Sequence, residues 1–234
     1  VCISSLVPQN KVDDIRQYGG TPIVYGVSQD EAMAHAFALA EEHGYALVDP
    51  INDPYTISGH GTIALELIEQ LDDLSTVLVP VSGGALIAGI ASAIKAQKPS
   101  VRIIGVCMDR GAAMHASLKA GHPVEVEEVP SLADSLQGGI SMHNAYSFSM
   151  VQALVDDLIL VSEEEIADAM RIAFFEDHLV LEGAAAVGVA ALMTRKVELR
   201  QKESAVCVCT GSNIDMEQFL HIVYPHDRRH RNDP

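Results

Sequence analysis

Apolar positions along this chain fall into two alternating rhythms. Short, almost unbroken apolar runs of strand length alternate with stretches whose apolar residues recur three and four apart. Thr76 to Val81 and Val101 to Val106 are runs of the first kind, as in strands buried on both faces of a parallel sheet. Between them, Leu86 to Gln97 is a helical stretch rich in Ala and Ile, which makes a right-handed βαβ unit. Upstream, Thr21 to Gly26 predicts a strand, Ser28 to Gly44 a helix and Ala46 to Pro50 a short strand. Ser28 with Glu31 forms a capping box, and Gly44 ends that helix. Gly61 to Gln70 reads as a helix with Ile63, Leu67 and Ile68 on one side. Downstream, Leu158 to Val161 is a strand, and Ser162 with Glu165 caps a helix that runs to about Phe175. Glu182 to Met193 is a helix of small residues that must pack closely, and Ser204 to Thr210 is a further buried strand. The tail, His226 to Pro234, is polar and reads as frayed. The pattern predicts an α/β fold, a mostly parallel sheet flanked by helices. Asp, Asn and two prolines cluster from Asp49 to Pro54, so the expected division is a smaller domain over residues 1–50 and a larger one over 51–234.

Charge narrows the function. The formal net charge is −17, which repels phosphate backbones and anionic lipid, so neither nucleic acid nor membrane is expected as a partner. No apolar run reaches transmembrane length, and the opening residues lack a secretory pattern. The chain starts at Val1 without an initiator Met, as processing or truncation would leave it. Its 4 cysteines include no CxxC pair, so no zinc site is expected. Cys207 and Cys209 would share one face of a strand. Buried thiols in a reducing compartment, the cytoplasm, are the expectation. The 10 histidines show no HExxH, and none is assigned to metal.

Three local motifs could carry chemistry. Ser82-Gly83-Gly84-Ala85-Leu86 lies between a buried strand and a helix. Its glycines let backbone N–H groups converge, and the helix start adds a positive dipole end, which together suit a phosphate dianion. A tight packing turn without a ligand fits the same residues. The motif is not a Walker loop, a GxGxxG turn or a GxSxG nucleophile elbow. Thr210-Gly211-Ser212-Asn213 ends another strand, the sheet edge where ligands bind in open α/β folds, although such residues also make ordinary turns. Glu182 opens the small-residue helix, a position where a carboxylate often serves only the helix dipole.

In order and spacing these residues resemble the serine/threonine dehydratase branch of fold type II pyridoxal-phosphate (PLP) enzymes, which includes serine racemase. The likeness is collinear from about Val1 to Val223. It runs through Val7-Pro-Gln-Asn-Lys11, Gly59-His-Gly-Thr-Ile-Ala-Leu-Glu66, Pro80 to Gly89, Glu182-Gly-Ala and Thr210-Gly-Ser-Asn213. Asp109 to His115 and Leu132 to Ile140 look closest to hydroxyectoine-utilisation and threo-3-hydroxyaspartate dehydratases. The resemblance implies a fold like the tryptophan synthase β-subunit and pyridoxal 5′-phosphate as cofactor. It makes Ser82 to Leu86 the phosphate cup, gives Thr210 the hydroxyl that meets the pyridine nitrogen, and sets Glu182 beside the ring. The implied reaction takes a small β-hydroxy amino acid to a 2-oxo acid and ammonia. Relatives are commonly homodimers.

The chain departs from that pattern in places. Ala85 stands where the cup usually has glycine, which keeps its N–H available only at negative φ. Cys107 and Ala113 stand where several relatives hold a divalent cation, so no metal is carried over. His60 stands where Gln is common. The family segment with the Schiff-base lysine lies upstream of everything in the sequence. Lys11 falls in a helix of the smaller domain, and Lys95 and Lys98 are expected to face solvent, so no lysine here takes that role. The chain is therefore expected to be an N-terminally truncated fragment, inactive alone, with an exposed apolar face. Two rivals stay open: a non-catalytic phosphate-binding or regulatory domain and a nucleotide-binding protein of Rossmann type. Within the enzyme class, racemase activity also stays open.

Overall fold

A computed structural model of the chain describes residues 1–199 and 203–224. The tail reading at His226 to Pro234 lies outside the described residues. Four parallel strands form the main sheet in the order β5-β4-β3-β6: β3 (Leu74–Pro80), β4 (Arg102–Met108), β5 (Asp157–Val161) and β6 (Ser204–Cys207). A small parallel pair, β1 (Cys2–Ile3) and β2 (Ile23–Val24), stands apart with α1 (Gln9–Gln17) and α2 (Gln29–His43).

Side chains of the central strands alternate between two cores. Val77 and Val79 point to one face, where α3 (Pro54–Gln70) and α4 (Ala85–Gln97) lie with α5 (Ala113–Ala120) and α6 (Ser147–Leu154). Leu78 points to the other, beneath α7 (Glu163–Phe175), α8 (Gly183–Met193) and α9 (Met216–Val223). Burial on both faces explains why β3 and β4 read as unbroken apolar runs.

Both capping boxes form as the sequence predicts: the Ser28 and Ser162 hydroxyls accept from the N–H of Glu31 and Glu165, and each glutamate reaches back. Gly44 closes α2 in the left-handed region at φ 69°.

Four expectations need correction. Ala46 to Pro50 forms no strand. A strand needs a ladder partner, and here the Asp49 carboxylate instead accepts from the N–H groups of Ile51 and Asn52 at 2.8 and 3.0 Å, turning the chain. Helix α3 starts at Pro54, well before Gly61, because Asp53 caps it at Thr56 and Pro54 takes its first position. Strand β6 stops at Cys207, so Cys209 is exposed on a loop and does not share a strand face with Cys207. Lys95 and Lys98 do not face free solvent. Lys95 donates to the Val101 carbonyl and Asp156 at 2.8 and 2.7 Å, and Lys98 to the Leu71 carbonyl at 3.1 Å.

Glycine is required where α3 crosses α4. A Cβ on Gly89 would lie 2.2 Å from the Ile57 carbonyl oxygen, so the two helices meet backbone to backbone. That contact fixes the start of α4, and with it the turn after β3. No described helix is long and apolar enough to cross a membrane.

Candidate functional site

The turn between β3 and α4 is a backbone cradle. After Pro80 the chain makes one more sheet bond, Val81 N–H to the Val106 carbonyl, then turns through Ser82, Gly83 and Gly84 into α4. Gly84 sits at φ 94°, and a Cβ there would lie 2.6 Å from Met114 Cε. A Cβ on Gly83 would lie 2.7 Å from the Ile51 side chain. The Gly83 carbonyl is turned inward, where the buried Ser147 hydroxyl donates to it at 2.7 Å. No side chain caps α4, and no described protein acceptor meets the N–H groups of Ser82 to Leu86. Ala85 is helical and is not among the positive-φ residues, so the glycine-to-alanine departure leaves its N–H aligned with the others. Five unpaired donors at a helix start are an anion cradle.

The cradle opens on a cleft of about 500 Å³ lined by residues that include Ser82, Gly83, Gly84, Glu182 and Thr210. The structure therefore brings all seven sequence-predicted site residues to one cleft; Ala85 and Leu86 complete its floor. The carboxyl ends of β3 and β6 supply the cradle and the Thr210 loop, as expected for the ligand edge of a parallel sheet.

Glu182 stands at the start of α8 without capping it. Its residue is 8% exposed, and Oε2 is buried with no hydrogen bond. Its backbone N–H donates to the Gly211 carbonyl at 3.2 Å, which ties the start of α8 to the Thr210 loop. Burial pushes the Glu182 carboxyl above its ordinary range. The nearby Lys11 ammonium opposes that shift, and Asp134 adds to it. Thr210 is exposed to the cleft, and its hydroxyl has no described protein partner. Helix α8 seats against the loop ahead of Asp134 so tightly that a Cβ on Gly183 would lie 2.1 Å from the Leu132 carbonyl oxygen.

Lys11 is the residue that sequence reasoning placed in α1 and left there. Its ammonium enters the cleft and donates to Asp134 Oδ2 at 2.8 Å and Ser135 Oγ at 2.9 Å, with Glu182 Oε2 at 3.7 Å. The available signal was a cation in the first turn of a short helix, where the dipole disfavours it. Glu128, also in the lining, accepts the N–H of Gln29 at 2.7 Å, and burial holds its carboxyl above the usual range. His60 lines the cleft as well. Among the described residues no group of His, Cys, Asp or Glu could hold a metal ion, and Cys107 is a buried thiol pushed up to about 12 by desolvation.

Comparison with known proteins agrees with this geometry. The family described as "Pyridoxal-phosphate dependent enzyme" matches residues 1–211. A protein of Sinorhizobium fredii that carries a threonine dehydratase name is 51% identical over 216 residues, 92% of this chain and 65% of that protein. The L-threonine ammonia-lyase of Thermotoga maritima is 40% identical over 92% of this chain and 53% of its own length. Among solved structures, the processed form of threonine deaminase isoform 2 from Solanum lycopersicum superposes with a TM-score of 0.82 at 34% identity, over 94% of this chain and 60% of that one. Maize serine racemase superposes with a TM-score of 0.83 at 32% identity, over 98% and 70%. The chain thus spans between 53% and 65% of the length of these two curated relatives.

Proposed function

This chain belongs to the pyridoxal-phosphate-dependent enzymes, and from that premise we propose that its cleft serves the conversion of a small β-hydroxy amino acid to a 2-oxo acid and ammonia. One observation carries the reading: the unpaired amides of Ser82 to Leu86 face a cleft whose other walls present a free hydroxyl and a buried carboxylate. The names of the relatives, threonine dehydratase and L-threonine ammonia-lyase, support the reaction class.

The residues fit the cofactor. The N–H groups of Ser82 to Leu86 would hold its phosphate, with the α4 dipole adding to their attraction. The Thr210 hydroxyl would donate to the pyridine nitrogen without giving the ring a full positive charge. Glu182 would hold the ring edge. Pyridoxal phosphate, when bound, supplies the electron sink for loss of a Cα proton and a β-hydroxyl. Residues 51–234 would form the cofactor domain and residues 1–50 the remainder of a smaller domain, with the complete protein a homodimer in the cytoplasm. Within the substrate class, serine, threonine and threo-3-hydroxyaspartate are the candidates, and the side chains from Ser135 to Ser141 would choose among them. A racemase reading of the same site is favoured by the likeness to maize serine racemase.

The complete protein, incubated with each of the three substrates, should release 2-oxo acid and ammonia from at least one. Chiral analysis of the remaining amino acid separates racemisation from elimination. Absence of both products together with no bound cofactor in the spectrum would overturn the proposal.

A further inference from the structure

Helix α1 is nine residues long and buries only Val12, too little to be stable by itself. It is held by polar side chains instead. Lys11 donates to Asp134 and Ser135 at 2.8 and 2.9 Å, and Asn10 donates to Asn213 at 3.3 Å, beside the Thr210 loop. The side chains of Lys11, Asp134 and Glu182 are 20%, 24% and 11% exposed, so solvent screens their charges only in part. One ammonium therefore serves two carboxylates, and the second, Glu182, has an oxygen without any hydrogen bond.

Resting on the cofactor reading of this cleft, we propose that Lys11 is a positioning residue: it docks α1 on the cleft wall formed by Asp134 and Ser135 and keeps Glu182 charged where it faces the cofactor ring. The groups that face Glu182 are Lys11 from α1 and Asp134 from the short 3-10 turn Asp134–Leu136; Glu128 and His60 also line the cleft. Without Lys11, the Glu182 carboxylate would face Asp134 with no cation beside it, and its charged form would be disfavoured further. The position of Lys11 supports this use. A first-turn cation weakens its own helix, so the lysine serves something outside it. The contacts on α1 reach 123, 124 and 203 residues along the chain, and docking of the helix and the charge of the site then become one event.

The test reads two quantities that need no cofactor, so its failure leaves the cofactor reading standing, and the reverse. The first is the Glu182 carboxyl titration, followed by carbon-13 NMR of the labelled chain. The second is amide hydrogen exchange along α1. Lys11→Met should raise the Glu182 midpoint by about one unit, a tenfold change in proton affinity, and speed α1 exchange at least tenfold. Lys11→Arg should restore most of both. Glu182→Gln should leave α1 protected, because the bonds to Asp134 and Ser135 remain. Asp134→Asn, which keeps the shape of the site, should lower the Glu182 midpoint as Lys11 turns wholly to it, and it carries the titration test should Lys11→Met fail to fold. A Glu182 midpoint that stays put in Lys11→Met or Asp134→Asn would overturn the proposal, as would α1 exchange unchanged in Lys11→Met.

Discussion

The two walls of the cleft are built on different principles. The cradle wall is backbone. Its N–H groups are held by a turn fixed between β3, whose Val77, Leu78 and Val79 are fully buried, and α4, clamped to α3 through Gly89. The other wall is side chains. Lys11, Asp134 and Glu182 come from three segments and meet through two ion pairs, the one to Asp134 also hydrogen-bonded, and the Thr210 hydroxyl lines the same cleft without a described protein partner. The contrast teaches how tolerance divides. An anion grip made of amides survives almost any surface substitution and fails when the backbone cannot turn. A wall of side chains can change its charge without changing the fold.

Gly84→Ala should break the cradle wall, with the largest effect of any change considered. The residue sits at φ 94°, and the added Cβ would lie 2.6 Å from Met114 Cε and 3.2 Å from Val151. Strain and overpacking together should cost about 3 kcal/mol in urea unfolding, and binding of pyridoxal phosphate should vanish with the turn. Gly44→Ala is the control: its φ is also positive, at 69°, but nothing lies within 4 Å of the added Cβ. It should cost about 1 kcal/mol. Equal losses would show that packing around the cradle contributes nothing.

Lys11→Met should strike the side-chain wall, and its effect should depend on pH. At pH 8 the loss of charged hydrogen bonds to Asp134 and Ser135 should cost about 2 kcal/mol. The sign follows from Glu182. Its folded carboxyl titrates above the ordinary value, because burial outweighs the help of Lys11. Charging it therefore opposes folding; the opposition is full above the folded pKa, fades as pH falls through it and is gone only below the unfolded value. Removing Lys11 enlarges the opposition, so the gap between variant and parent should narrow as the buffer is acidified. A gap that widened toward acid would locate the damage elsewhere.

The same contrast explains what the sequence made legible. The cradle could be read from Ser82 to Leu86 because its parts are contiguous and its two glycines have a backbone reason. The capping boxes at Ser28 and Ser162 could be read for the same reason, since donor and acceptor lie three residues apart. Lys11 was invisible as a site residue because its partners lie more than a hundred residues away. Ala46 to Pro50 was misread because apolar runs alone do not supply a ladder partner, and the Asp49 carboxylate turned the segment instead. At Asp53 and Pro54 the helix-start signal was present, yet the helix was read as beginning only at Gly61. The gathering of Glu182 and Thr210 beside the cradle rested on the family resemblance, because no local rule brings two strand ends and a helix start together.

Loss of a cap should sharpen the comparison at a smaller scale. Ser162→Ala and Ser28→Ala each remove a hydroxyl that accepts an N–H three residues on, a loss of about 1 kcal/mol apiece. The consequences should differ in reach. Helix α7 packs five buried side chains into the sheet core, so Ser162→Ala should lower the global unfolding midpoint. Helix α2 buries only Ala32, so Ser28→Ala should speed amide exchange within α2 and leave the main sheet protected. Equal slowing or speeding across both units would make them one cooperative body.

The smallest structural effect should come from Thr210→Val, and that makes it the cleanest probe of the side-chain wall. The residue is exposed, and its hydroxyl meets no described protein group, so removing the hydroxyl leaves nothing buried unsatisfied. Stability should stay within about 0.5 kcal/mol of the parent. The hydroxyl's use, in the proposed function, begins only when a heteroaromatic nitrogen arrives. Loss of one such bond is worth about 1 kcal/mol, so the affinity for pyridoxal phosphate should fall roughly fivefold, read by absorbance titration. Inorganic phosphate, which has no ring, should bind both proteins alike. Thr210→Ser should behave as the parent does. Equal loss for phosphate and for pyridoxal phosphate would mean that the substitution disturbs the cradle itself, and the separation of the two walls would then be wrong.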